Sequence, residues 1–240
     1  MSPLRKTALV AGVFYLITFV SIPTLFLYTQ VLHNAKYILG PGPDTAVLFG
    51  GISEIIVALA GVGTAIALYP VLKRQSEGRA LGFVATRTLE GAGLLAGVAC
   101  ILAIVSLRQA GAGAGALVVA QTLAILYARI ALLSQSLMPA LNAVLLGSLL
   151  YQSRLVPRVL PLLAFVGAAL LIVGDMGTLF SFWAPVSAPT ALLAIPIALW
   201  EFSLGVYLVV KGFKPSPITS DMETAKPDRR IPGGAAAGVA

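Results

Sequence analysis

Five ionisable residues stand inside stretches of this chain that are otherwise apolar: Glu54, Arg87, Glu90, Asp175 and Glu201. Arg87 and Glu90 are three apart, so on a helix they share a face and can pair. Two carboxylates placed around one arginine would leave a net negative charge, and such a site can relieve itself by holding a proton. The chemistry on offer is therefore proton or cation binding, or an ion-pair lock between helices. Catalysis has no support in the motifs. The acids have no accompanying histidine or serine, and the chain lacks a Gly-x-Ser-x-Gly, a His-Glu-x-x-His and a Gly-x-x-x-x-Gly-Lys run. We expect no catalytic residue, no cofactor and no enzyme activity. A single cysteine, Cys100, excludes an intrachain disulfide and a cysteine metal cluster, and reads as a small buried apolar residue. No metal site is expected, and His33, alone in a loop, reads as solvated.

The elements that must carry these residues follow from composition. Of 240 residues 58% are hydrophobic and 10% charged, against about 45–50% and about 25% in soluble domains. A soluble core cannot bury that excess. The apolar residues come in runs long enough to cross the roughly 30 Å hydrocarbon layer as helices. The fold class is all-α, a polytopic transmembrane bundle, and the partner is the lipid bilayer. The net charge of +7 is spread over the ends of these runs, singly and in pairs, which argues against nucleic acid. No protein partner or oligomeric state can be read.

Six spans are expected, at about 7–28, 47–72, 80–107, 136–152, 159–182 and 190–210. The first is too long for a signal-peptide core of about 7–15 residues and has no cleavage site after it, so it reads as a retained span. The region 111–152 is too long for one span and short for two. In its first half Thr122, Arg129 and Ser136 recur every seven residues beside Gln121 and Gln135, one polar stripe on an apolar helix. That pattern predicts a helix over about 116–133 lying in the interface or packed against other spans. With six spans, Arg5, Lys6, Lys73, Arg74, Arg79, Arg154, Arg158, Lys211 and Lys214 fall on one side, and Lys36 and Arg108 on the other. Basic residues are retained on the cytoplasmic side, so both termini are expected there. Residues 214–240, with mixed charges and a Gly/Ala end, are expected to form a disordered cytoplasmic tail.

Four stretches, "RKTALVAGVFYLITFVS" (5–21), "LYPVLKRQSEGRALGFVATRTLEG" (68–91), "YQSRLVPRVL" (151–160) and "WEFSLGVYLVVKGF" (200–213), together resemble the bacterial membrane proteins grouped as domain of unknown function 4386. The resemblance implies a polytopic helical protein of the bacterial inner membrane. It implies no substrate, reaction or binding residues.

Depth then assigns partners. At 1.5 Å per residue, Glu90 and Glu201 lie about 15 Å from the cytoplasmic face and Arg87 about 10 Å. Arg87 is expected between Glu90 and Glu201, with Asn142 at similar depth. Glu54 and Asp175 form a second level, about 10 Å from the outer face, with Arg129 as candidate counter-charge. The first cluster reads as a helix-packing lock; the alternative is a small-molecule or proton-coupled transporter that uses the mid-membrane carboxylates. Gly93 and Gly97 are spaced for close helix contact, Pro196 interrupts the sixth span's hydrogen bonding, and Trp183 suits an interface.

Overall fold

The computed structural model describes residues 1–34, 36–40 and 44–224. The described residues are helical, with no strand among them. The long helices are α1 (Pro3–Ile17), α4 (Thr45–Leu72), α5 (Glu77–Gln109), α6 (Leu117–Leu132), α7 (Met138–Ser153), α8 (Val159–Leu179) and α9 (Ala188–Val210). Short helices α2 (Thr24–Leu27) and α3 (Thr29–His33) lie between α1 and α4, and α10 (Ser220–Thr224) follows α9.

Local signals set the starts. Ser2 caps α1 by accepting the Arg5 amide at 3.3 Å, with Pro3 at the first helical position, where its missing N–H costs nothing. Ser76 precedes α5, which carries Glu77 in its first turn and Arg108 in its last, both signs suited to the helix dipole. Pro161 and Pro189 likewise fall near the start of α8 and α9, where proline is tolerated.

Helix packing closes on itself. α1 packs on α4, α4 on α5, α5 on α7, α7 on α8, α8 on α9, and α9 back on α1. Arg5 tightens that last contact by donating to the carbonyls of Leu208 at 2.8 Å and Val209 at 2.5 Å, two of the acceptors that the end of α9 leaves open. Close approach replaces bulk at the α8–α9 seam: a Cβ on Gly167 would fall 2.8 Å from the backbone of Ile197, so only glycine lets these helices meet. The main core cluster, with Tyr15, Phe83, Leu146 and Trp200 buried, fills the ring towards the α10 end; a second, with Tyr28, Tyr37, Ile101 and Tyr127, fills the α3 end.

Among the described residues six helices are long and apolar enough to cross a membrane: Pro3–Val20, Thr45–Leu72, Glu77–Gln109, Gly113–Ser153, Val159–Leu179 and Ala188–Val210. Two boundaries differ from the expected ones. The first span stops at Val20, because Pro23 cannot continue the hydrogen-bond ladder and the chain breaks into short helices there. The expected division between a helix at 116–133 and a separate span at 136–152 is absent. α6 and α7 form one continuous rod through a π-helical turn, Leu133–Leu137. Pro139 supplies the cause: its ring opposes the carbonyl four residues back and it donates no hydrogen bond, and a widened turn accommodates both.

The expected disordered tail also needs correction over its first part. Residues 214–224 are folded against the α10 end. The Lys214 amide donates to Leu155 O at 2.8 Å, Ser216 donates to Ser153 O at 3.1 Å, Thr219 is fully buried, and Arg74 pairs with Asp221 at 2.6 Å. The segment runs into a 3-10 turn (Pro217–Thr219) and α10, and its first residues complete the hydrogen bonding of the "SRLVPR" turn between α7 and α8, where Arg154 adopts a left-handed conformation at φ 55° and Leu155 and Val156 are buried. Residues 225–240 lie outside the described residues.

Candidate functional site

Arg87, on the inner face of α5, is 2% exposed and stands at the centre of the ring. Its Nη1 donates to both oxygens of Glu90 at 3.0 Å. Its Nη2 donates to Glu201 Oε1 at 2.7 Å and to the Tyr15 hydroxyl at 3.3 Å. The guanidinium carbon also lies 5.3 Å from the Tyr15 ring centre and 5.9 Å from that of Phe83, within cation–π range. Asn142 Nδ2 donates to Glu90 Oε2 at 2.5 Å, while the Thr86 hydroxyl donates to Asn142 Oδ1. Even α4 contributes: a Cβ on Gly61 would sit 3.9 Å from Arg87 Nη1. Arg87, Glu90, Glu201 and Asn142 thus form one hydrogen-bonded cluster, to which Tyr15 and Thr86 are additions.

The cluster spans the ring. α5 and α9 are not neighbours in the packing order, so the Arg87–Glu201 bond is a strut across the interior, and Asn142 ties in α7 from a third side. Among the described residues, buried Arg87 Nε and Trp200 Nε1 have no hydrogen-bond partner.

Glu54, Asp175 and Arg129 are not brought together. Glu54 is 1% exposed and accepts from Tyr127 at 2.9 Å, from Tyr28 at 3.3 Å and, at the outer limit, from Gln135 at 3.5 Å. Asp175 is 4% exposed, with one oxygen bonded by Ser136; its Oδ2 and the Thr178 hydroxyl beside it are buried without partners. Arg129 is exposed, and among the described residues it makes no ion pair or hydrogen bond with either acid. Neutral donors alone serve these carboxylates. The reason lies in the π-helical turn, whose successive residues project in different directions: Ser134 against α5, Gln135 towards Glu54, and Ser136 to Asp175. Gly93 and Gly97 make room for this arrangement, since a Cβ on Gly93 would collide with Ser134 and one on Gly97 would fall 3.2 Å from the Tyr127 ring. The small pair seats the ring whose hydroxyl reaches Glu54.

A third charged group lies at the α3 end, and the sequence reading did not single it out. Asp44, just before α4, accepts from Gln109 Nε2 at 2.9 Å, from the Tyr37 hydroxyl and from Arg108, which also lies over the Tyr37 ring at 4.8 Å. Burial alone would raise the Asp44 carboxyl; the hydrogen bonds from Tyr37, Gln109 and Arg108, with the arginine's charge, hold it below the ordinary value. Burial and the same hydrogen bond push the Tyr37 phenol up. The signal was available: an acid directly before one apolar run and a basic residue directly after the next must meet at the same end of a helical hairpin. His33 is exposed beside this group, Cys100 is buried and free, and Trp183 donates to Gly174 O at 3.3 Å.

Among the described residues no group of three or more His, Cys, Asp or Glu side chains is placed to hold a metal ion. The family profile described as Domain of unknown function (DUF4386) matches residues 10–212. No curated protein and no solved structure matches the chain. With six long apolar helices and a match over most of its length, the chain is a multi-pass membrane protein that belongs to the DUF4386 family.

Proposed function

We propose that this is a protein of the bacterial inner membrane, with both termini cytoplasmic, whose buried charge around Arg87 serves helix packing and not transport or catalysis. One observation carries the packing role: Arg87 spends its donors on Tyr15 of α1, Glu90 of its own helix and Glu201 of α9 at once. An arginine held this way fixes the rotation of three helices, and each bond is worth more where water is scarce.

The decisive experiment is the thermal stability, in detergent, of Arg87→Leu and of the triple variant Arg87→Leu, Glu90→Gln, Glu201→Gln. Breaking a buried pair from one side costs about 3–5 kcal/mol in soluble proteins. Arg87→Leu should lose stability on that scale, and the triple variant should recover most of it. A triple variant worse than Arg87→Leu alone overturns the lock. Orientation rests on the basic residues gathered at the α10 end, Lys73, Arg74, Arg79, Arg154 and Arg158 among them. A reporter active only in the cytoplasm should work when inserted after Gly78 and fail beside Gly40; the reverse pattern removes the assignment.

A further inference from the structure

Asp175 and Thr178 stand three apart on α8, in a run that is otherwise apolar, so they share one face of the helix. That face meets the π-helical turn, from which the Ser136 hydroxyl donates to Asp175 Oδ1. The acid is 4% exposed and the threonine 5%. Among the described residues, Asp175 Oδ2 and Thr178 Oγ1 have no hydrogen-bond partner. The carbonyl four residues before Thr178, that of Gly174, accepts from the Trp183 indole at 3.3 Å instead. Both open atoms are oxygens. An ionised carboxylate only accepts, so one donor leaves most of its capacity unmet.

The elements packed on α8 bring no cation to this face. α7 carries no charged side chain, and its Tyr151 lies at the other end, under Arg158. On α9 the residue opposite Gly174 is Leu193; Glu201, bonded to Arg87, and Tyr207 come two turns and more further along. Gln135, the neighbour of Ser136 in the π-helical turn, reaches Glu54, which adds only a like charge. Arg129 is exposed and pairs with neither acid. Burying an ionised carboxylate without a cation costs far more than burying the neutral acid. A proton needs no cavity, and it turns one acceptor into a donor.

We propose that Asp175 is a proton-binding site: at neutral pH it is a neutral carboxylic acid, with Oδ1 accepting from Ser136 and the Oδ2 proton offered to the Thr178 hydroxyl on the same face. The site shares no residue with the Arg87 cluster and does not depend on its role.

Infrared spectroscopy of the full chain in detergent reads the protonation state, because the C=O stretch of a protonated carboxyl stands apart from the carboxylate and amide bands. The chain has four aspartates, Asp44, Asp175, Asp221 and Asp228. The hydrogen bond from Arg74 holds Asp221 below the ordinary carboxylate value, and Asp44 stays below it despite its burial, through Tyr37, Gln109 and Arg108. In an Asp228→Asn chain with carbon-13 at every aspartate carboxyl, a protonated-carboxyl band that moves with the label at pH 7 therefore belongs to Asp175. That band is expected, at the intensity of one carboxyl per chain, and Asp175→Asn should remove it. The label keeps the assignment independent of whether Asp175→Asn folds. Absence of a label-sensitive band at pH 7 overturns the proposal. So does its loss when sodium chloride is added at constant pH, which would give the site to a metal cation.

Discussion

The Arg87 cluster and the Glu54/Asp175 level bury carboxylates in the same bundle by opposite means. Around Arg87 a cation faces two acids, and Tyr15, which accepts from Arg87, and Asn142, which donates to Glu90 and accepts from Thr86, knit in α1 and α7. Around Glu54 and Asp175 the donors are hydroxyls and an amide, and one Asp175 oxygen has no donor at all. An ion pair makes each partner depend on the other, since removing one leaves a buried charge. A carboxylate served by neutral groups has no such dependent. Burial of charge therefore says little about stability until the partner is known.

The sharpest way to break this contrast is to make the same nominal change at both levels. Glu90→Gln with Glu201→Gln strips Arg87 of both acids and should cost about 3–5 kcal/mol by thermal or chemical unfolding in detergent. Glu54→Gln with Asp175→Asn removes as many carboxylates, but the amides still accept from Tyr127 and Ser136. That pair should change stability by only about 1 kcal/mol in either direction. Equal losses from the two doubles would erase the distinction.

Asp44 falls between these extremes, paired with Arg108 but at the edge of the bundle. Asp44→Asn should cost about 1–2 kcal/mol at neutral pH. The folded carboxyl lies below its ordinary value, so its contribution is complete above the unfolded value of about 3.9 and is lost as pH falls through the folded one. The gap in unfolding temperature between the native chain and Asp44→Asn should hold steady above about pH 5 and close on acidification below about pH 4. A gap that widens in acid would mean that Asp44 is not held as the anion.

Much of this was legible because it depends on spacing and depth. Arg87 and Glu90 lie one helical turn apart, and counting along two spans placed Glu201 and Asn142 at their level. The second cluster was not legible, since equal depth says nothing about which way a side chain faces around the helix axis. Arg129 shares a stripe with Ser136, yet the π-helical turn shifts the register between them, and Arg129 stays outside. The apolar pattern counted six spans but could not tell that α6 and α7 run on as one rod, because the widened turn interrupts the polar stripe without interrupting the helix. The tail misled for a different reason. Composition measures what a segment can bury by itself, whereas residues 214–219 are ordered by acceptors that other parts of the chain leave open.

The ring order bears on how the protein is made. Its closing seam joins the first long helix to the last, and Arg5 grips carbonyls that are synthesised some two hundred residues later. No closed ring exists until α9 has left the ribosome. During that interval Arg87 is already in the membrane and Glu201 is not. Glu90, carried on the same helix one turn away, lets the arginine enter as half of a pair, with Tyr15 waiting on α1. Glu201 is the part added last, and its arrival turns a locally neutralised helix into the cross-brace of a finished assembly.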